Sequence, residues 1–171
     1  MPELEQFNSL AREESVAELL KCCGSSRWAA RVADARPFES FAALVEEADR
    51  AWWSLGREDW LEAFRSHPKI GERKAERETG AQAGRWSEQE QSGTRDASSE
   101  VMSELAEANR EYEARFGYIF IVCAAGRSAE EMLALLRARL RNDAETELRV
   151  AAEEQRRITR LRLQKSFAQE V

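Results

Sequence analysis

The sequence predicts an all-α fold: one compact domain over residues 1–171, with about seven to nine helices. Three observations predict it. Glycine and proline are scarce, 8 and 3 in 171 residues, while Ala, Leu, Glu and Arg are abundant. Apolar residues recur at helical spacing in one segment after another. Ser, Asp or Asn stands before most of these segments, and Gly follows several.

Taken in order, Glu3 to Leu10 is a short lead-in. Asn8 or Ser9 is placed to cap a first helix running to about Cys22, which Gly24 ends. Ser25-Ser26 caps a second helix through Trp28, Ala30 and Val32, closed by Pro37. Ser40 to Leu55 is a third, with Phe41, Leu44, Val45, Ala48 and Trp52 on one side and Gly56 at its end. Asp59 to Arg65 is a short fourth helix carrying Trp60, Leu61 and Phe64. Pro68 disfavours the α region at His67 and stops it; Gly71 then permits a sharp backbone change.

Glu72 to Arg85 is charged and nearly free of large apolar groups, a solvated loop. Ser87 opens the longest helix, to Phe116, with Gly117 as its stop. Tyr118 to Cys123 is apolar and β-branched, yet no second strand exists to pair with it. It is expected to be a buried extended segment whose backbone groups need partners. Ser128-Ala129-Glu130-Glu131 is a capping box, followed by Met132, Leu135, Leu136 and Leu140 on one face. Asn142-Asp143-Ala144-Glu145 is another, opening a last helix to about Phe167.

The bulk numbers exclude several functions. A net charge of −6, with acids and bases interspersed, speaks against nucleic-acid binding. Three cysteines (Cys22, Cys23 and Cys123) and one histidine make a poor metal inventory, so no metal is expected. The thiols read as reduced and mostly buried in a cytoplasmic protein. No leader pattern and no apolar run of membrane length occurs, so no membrane partner is expected.

Four features draw attention. His67, the single histidine, sits just past a helix end. It either caps the helix carbonyls or transfers protons, since free imidazole titrates near ~6.5. Arg162 falls at the centre of the last helix's apolar stripe, in line with Gln155 and Ile158. It is either half of a structural ion pair or a planar fork for a carboxylate or carbonyl ligand. Ser87 and Glu90 fit a capping box, Trp86 adding a hydrophobic staple, yet Glu90 also borders the apolar face and could accept N–H donors from a ligand. Trp28, Trp52, Trp53, Trp60 and Trp86 read as core or interface anchors, Cys123 as packing, and Lys69 as a solvated charge.

The motifs together resemble the 2-oxo-4-hydroxy-4-carboxy-5-ureidoimidazoline (OHCU) decarboxylases. The matching pieces are Cys22-Cys23-Gly24-Ser25 with Trp28, Arg36-Pro37-Phe38, Asp59 through Phe64, and His67-Pro68-Lys69-Ile70-Gly71. Then come Trp86-Ser87 through Gly93, Asn109 with Tyr112, Arg115-Phe116-Gly117-Tyr118, Phe120, Arg139 through Asn142, and Ile158 with Leu161-Arg162-Leu163. The resemblance covers nearly the whole chain. It implies a carboxy-lyase of urate catabolism yielding (S)-allantoin, with His67 catalytic. It implies that Pro68, Ser87, Glu90, Gly117, Phe120 and Arg162 contact the substrate, the segment after Phe116-Gly117 through its backbone. It also implies no cofactor, because the substrate carries its own electron sink, and a homodimer. The competing classes are a non-catalytic helical interaction module, a lyase for a related ureido compound, and a thiol enzyme built on Cys123.

Overall fold

Caps and breaks written in the sequence set the helices. The computed structural model describes residues 3–69, 86, 90 and 98–168. Eight helices are delimited: α1 (Leu4–Ser9), α2 (Arg12–Cys22), α3 (Ser26–Asp34), α4 (Phe41–Trp53), α5 (Arg57–Arg65), α6 (Ser99–Phe116), α7 (Ala129–Arg139) and α8 (Ala144–Phe167). Trp86 and Glu90 are also helical, and no strand occurs among the described residues. The all-α class holds. No described helix is long and apolar enough to cross a membrane. The chain divides into two compact units, Met1–Ala63 with Arg156–Val171, and Phe64–Gln155.

In the first unit, α2 packs on α3 and α3 on α4. The ring of Phe7 lies 4.5 Å from that of Phe167, and Leu19, Trp28, Leu44 and Leu163 are buried. Burying each such side chain contributes roughly 1.5–3 kcal/mol. The indole N–H of Trp28 donates to Ala48 O at 3.0 Å, and that of Trp60 to Trp52 O at 3.1 Å. Ser25 caps α3 as expected, and Ser40 is the cap of α4 rather than its first residue. Four of the five tryptophans are buried; Trp53 is 42% exposed.

The start of the chain differs from expectation. Leu10 and Ala11 are extended, so two helices replace one. The Nη1 of Arg36 draws on the carbonyls of Phe7 and Leu10 at 2.8 and 2.9 Å, which satisfies the break. Asn8 caps nothing: its amide exchanges two 2.9 Å hydrogen bonds with the backbone of Phe38. Glu14 takes the Ala11 N–H at 3.2 Å. Gly56 is not a left-handed stop, since positive φ is confined, among the described glycines, to Gly117 and Gly126.

In the second unit, α6 packs on α7. Gly117 ends α6 at φ 84°, its N–H on Glu113 O at 2.8 Å, as predicted. Ser98 is extended and its hydroxyl accepts the Val101 N–H, so α6 begins at Ser99 instead of continuing from Ser87. The longest delimited helix is α8. Its cap is Asp143, which accepts both the N–H and the hydroxyl of Thr146 at 2.8 Å. Asn142 turns instead to Glu147, at 2.9 Å. The buried face of α7 is Met132, Leu133, Leu136 and Arg139, with Leu135 and Leu140 only half-buried.

Candidate active site

The elements that carry His67 are simple. α5 ends at Arg65, and the backbone N–H of His67 still reaches Phe64 O at 3.2 Å. Pro68 follows, buried, so the helix cannot continue. Lys69 is not a bare solvated charge; it pairs with Glu113 at 3.0 Å.

The His67 ring is half-buried, and its Nε2 lies 2.6 Å from Oε1 of Gln155. Gln155 has no exposed surface. An amide oxygen only accepts, so Nε2 donates. In the neutral ring the lone pair is then on Nδ1. The imidazole is thus tied by Nε2 to a side chain of α8.

Glu90 is helical and buried, at 8% exposure. With Glu154 it acts on Cys123, whose thiol is pushed up first by burial and then by these two carboxylates. A thiol held protonated is a poor nucleophile, which agrees with a packing role. Glu90, Glu154 and Cys123 all belong to the second unit, as do His67 and Gln155.

The segment after Gly117 is buried and irregular at Phe120, Ile121 and Val122. Its need for backbone partners is met in part by side chains. Arg139 Nη1 donates to Ile121 O at 2.6 Å, and Arg127 Nε to Cys123 O at 3.1 Å. The Phe120 ring faces Tyr112 at 5.5 Å and lies under the Arg139 guanidinium at 4.5 Å.

Arg162 belongs to the first unit and is buried, at 5% exposure. Its charge reaches the thiols of Cys22 and Cys23, lowering their pKa values against the larger effect of burial. Ser87 and the Glu72 to Arg85 loop lie outside the described residues, as does Gly71.

Sequence reasoning missed two things. Gln155 was visible as a polar residue inside an apolar stripe, without a partner to assign. Glu147, fully buried on α8, binds Tyr112, Arg139 and Asn142. A carboxylate one turn before Ala151 in the same stripe was its only signal.

Among the described residues, no cluster of His, Cys, Asp and Glu could hold a metal ion. Residues 8–164 match the family model described as OHCU decarboxylase. The chain is 37% identical over 159 residues to the uric acid degradation bifunctional protein TTL of Arabidopsis thaliana, covering 93% of this chain and 49% of that one. It thus spans about half the length of that relative. It is 31% identical over 168 residues to the 2-oxo-4-hydroxy-4-carboxy-5-ureidoimidazoline decarboxylase of Haloferax volcanii, covering 98% and 97%. A crystal structure of an OHCU decarboxylase in the presence of (S)-allantoin superposes with a TM-score of 0.76 at 37% identity, covering 90% of this chain and 99% of that one.

Proposed function

The chain belongs to the OHCU decarboxylase family, and from that premise we propose that it decarboxylates 2-oxo-4-hydroxy-4-carboxy-5-ureidoimidazoline to (S)-allantoin in urate catabolism. The single observation that carries the reading is the 2.6 Å tether of the His67 imidazole to a buried amide. It gives the protein an oriented acid–base group at the position the family resemblance assigns to catalysis.

The chemistry asks little else. The carboxylate leaves from a ring carbon next to a C=N group. The released electron pair passes into that imine, so the substrate supplies its own sink. The protein must hold the carboxylate and deliver one proton to one face. His67 manages the proton. Arg162, a planar fork suited to carboxylate or carbonyl groups, and Glu90, an acceptor for ring or ureido N–H groups, fix the substrate. Pro68, Ser87 and the backbone from Gly117 to Phe120 complete the contacts. The support for this set is the motif resemblance, the burial of Glu90 and Arg162, and the buried irregular segment after Gly117. Residues 1–171 are taken as one decarboxylase domain, and the protein as a cytoplasmic homodimer.

The test generates the short-lived substrate in place from urate with the two preceding enzymes and follows the circular dichroism of allantoin. Rapid appearance of one enantiomer is expected. Racemic product at the uncatalysed rate rejects the activity, and sedimentation equilibrium reads the dimer.

A further inference from the structure

We propose that Gln155 is a positioning residue for His67, tethering Nε2–H so that Nδ1 is the nitrogen that exchanges a proton with substrate. The identity of the reacting nitrogen rests on the decarboxylase reading; the tether does not.

Three observations carry the inference. The Nε2 to Oε1 separation is 2.6 Å, a short hydrogen bond. Gln155 is fully buried while His67 is half-buried. The acceptor end is therefore shielded from water, where a hydrogen bond is electrostatically stronger. Gln155 also sits well inside the 24-residue α8, on a backbone that cannot drift as a loop can. On the other side, the His67 backbone is held to Phe64 O and followed by buried Pro68. With backbone and Nε2 both fixed, the remaining ring nitrogen has one direction to face.

The choice of an amide is itself informative. A carboxylate at position 155 would orient the ring equally well but would favour the imidazolium by its charge. An amide oxygen orients without adding charge, so the ring stays able both to accept and to release a proton. In each turnover the proton enters or leaves at Nδ1, and the Nε2–H bond is retained.

The chain has a single histidine, so ¹⁵N-labelled protein gives one unambiguous set of imidazole signals. The expected wild-type spectrum has a neutral ring protonated at Nε2, with slowed exchange of that proton. Gln155→Leu should lose the slowed exchange and lower kcat by about 10²-fold, with KM nearly unchanged, as a misaimed reacting group does. Gln155→Glu should move the His67 titration up by about one pH unit or more and carry the acidic limb of the pH–rate profile with it. A wild-type neutral ring protonated at Nδ1 overturns the proposal. So does a Gln155→Glu protein whose histidine titrates where the wild type does. The expected spectra from a wild-type protein that does not decarboxylate the substrate would retain the tether and reject Nδ1 as a reacting nitrogen.

Discussion

Arg139 and Glu147 form a buried ion pair, Nε to Oε1 at 2.7 Å, and the same guanidinium holds the carbonyl of Ile121 at 2.6 Å. One charge pair thus fastens α7 to α8 and to the irregular segment that follows Gly117. Glu147 also accepts the Tyr112 hydroxyl at 2.6 Å and the Asn142 amide at 2.9 Å, so its oxygens are well served. The burial of both charges is tolerable only because of this number of partners.

Removing one member should therefore be severe. Arg139→Met leaves the Glu147 carboxylate buried without its counter-charge and Ile121 O without its donor. The expected loss is about 3–5 kcal/mol. Urea unfolding of wild type and variant at one pH measures it. Arg139→Met combined with Glu147→Leu should recover part of the loss, because no lone charge is left behind. A double variant less stable than Arg139→Met alone would show that the other partners of Glu147 outweigh the pair.

Gly117→Ala isolates a backbone effect. Gly117 sits at φ 84°, and an added Cβ would meet nothing within 4 Å. Sterics with neighbours are absent, so only the left-handed conformation is penalised. The expected cost is about 1–2 kcal/mol, read as a lower Tm with an unchanged far-ultraviolet spectrum. A loss much beyond that range would mean that the α6 stop itself had moved.

These two sites mark where the sequence was legible and where it was not. The stop at Gly117 and the caps at Ser25 and Ser128 are local: a single residue type at a fixed offset carries them, and all three form. The Arg139–Glu147 pair depends on which way α7 faces. Apolar spacing puts Leu135 and Leu140 on the inner side, but the buried set is turned by about one residue toward Leu133 and Arg139. A helix with apolar residues around much of its girth does not fix its own rotation. The Asn8 cap fails for a related reason, and the role of Arg36 had no local signal: both residues bond backbone groups some thirty residues away. At the candidate site, His67 and Arg162 stand out as residues that packing alone does not require. The partner of His67 needed the fold.

Alkali should unfold the protein through its buried thiols. Burial pushes Cys22 from 9.0 up to about 12 and Cys23 up to about 11. The Tyr112 phenol is also raised, first by burial and also by donation to Glu147. Where the native fold holds such a group protonated and the unfolded chain can ionise it, ionisation favours the unfolded state. Below the unfolded value near pH 9, both states are protonated and this contribution to stability is fully present. Between pH 9 and about 12 the unfolded chain sheds protons that the native chain keeps, so stability falls, by several kcal/mol in order of magnitude. Urea midpoints between pH 8 and 11 should drop steadily, and Cys22→Ala should flatten the slope. A midpoint independent of pH over that range would contradict the burial of these groups as ionisable thiols.

Arg162 offers the sharpest separation of structural from functional roles. It is buried at 5% exposure and electrostatically close to Cys22 and Cys23, so its loss will cost stability whatever else it does. Activity alone is therefore a poor reading of Arg162→Ala. Arg162→Lys keeps the charge and most of the stem but loses the planar fork. If the guanidinium grips the substrate carboxylate or a ring carbonyl, the lysine variant should keep a Tm within a few degrees while KM rises by at least about tenfold, the cost of roughly one lost charge-assisted hydrogen bond. His67→Ala should show the opposite division: kcat falls about 10²-fold or more as the acid–base group is removed, while KM changes little and the Tm falls by a few degrees, because the ring is half-buried but the buried Gln155 amide loses its 2.6 Å partner. Initial rates from the coupled urate assay, at substrate levels spanning KM, read both variants. A lysine variant with wild-type KM would assign Arg162 to the core, and the proposed substrate grip would have to come from another group.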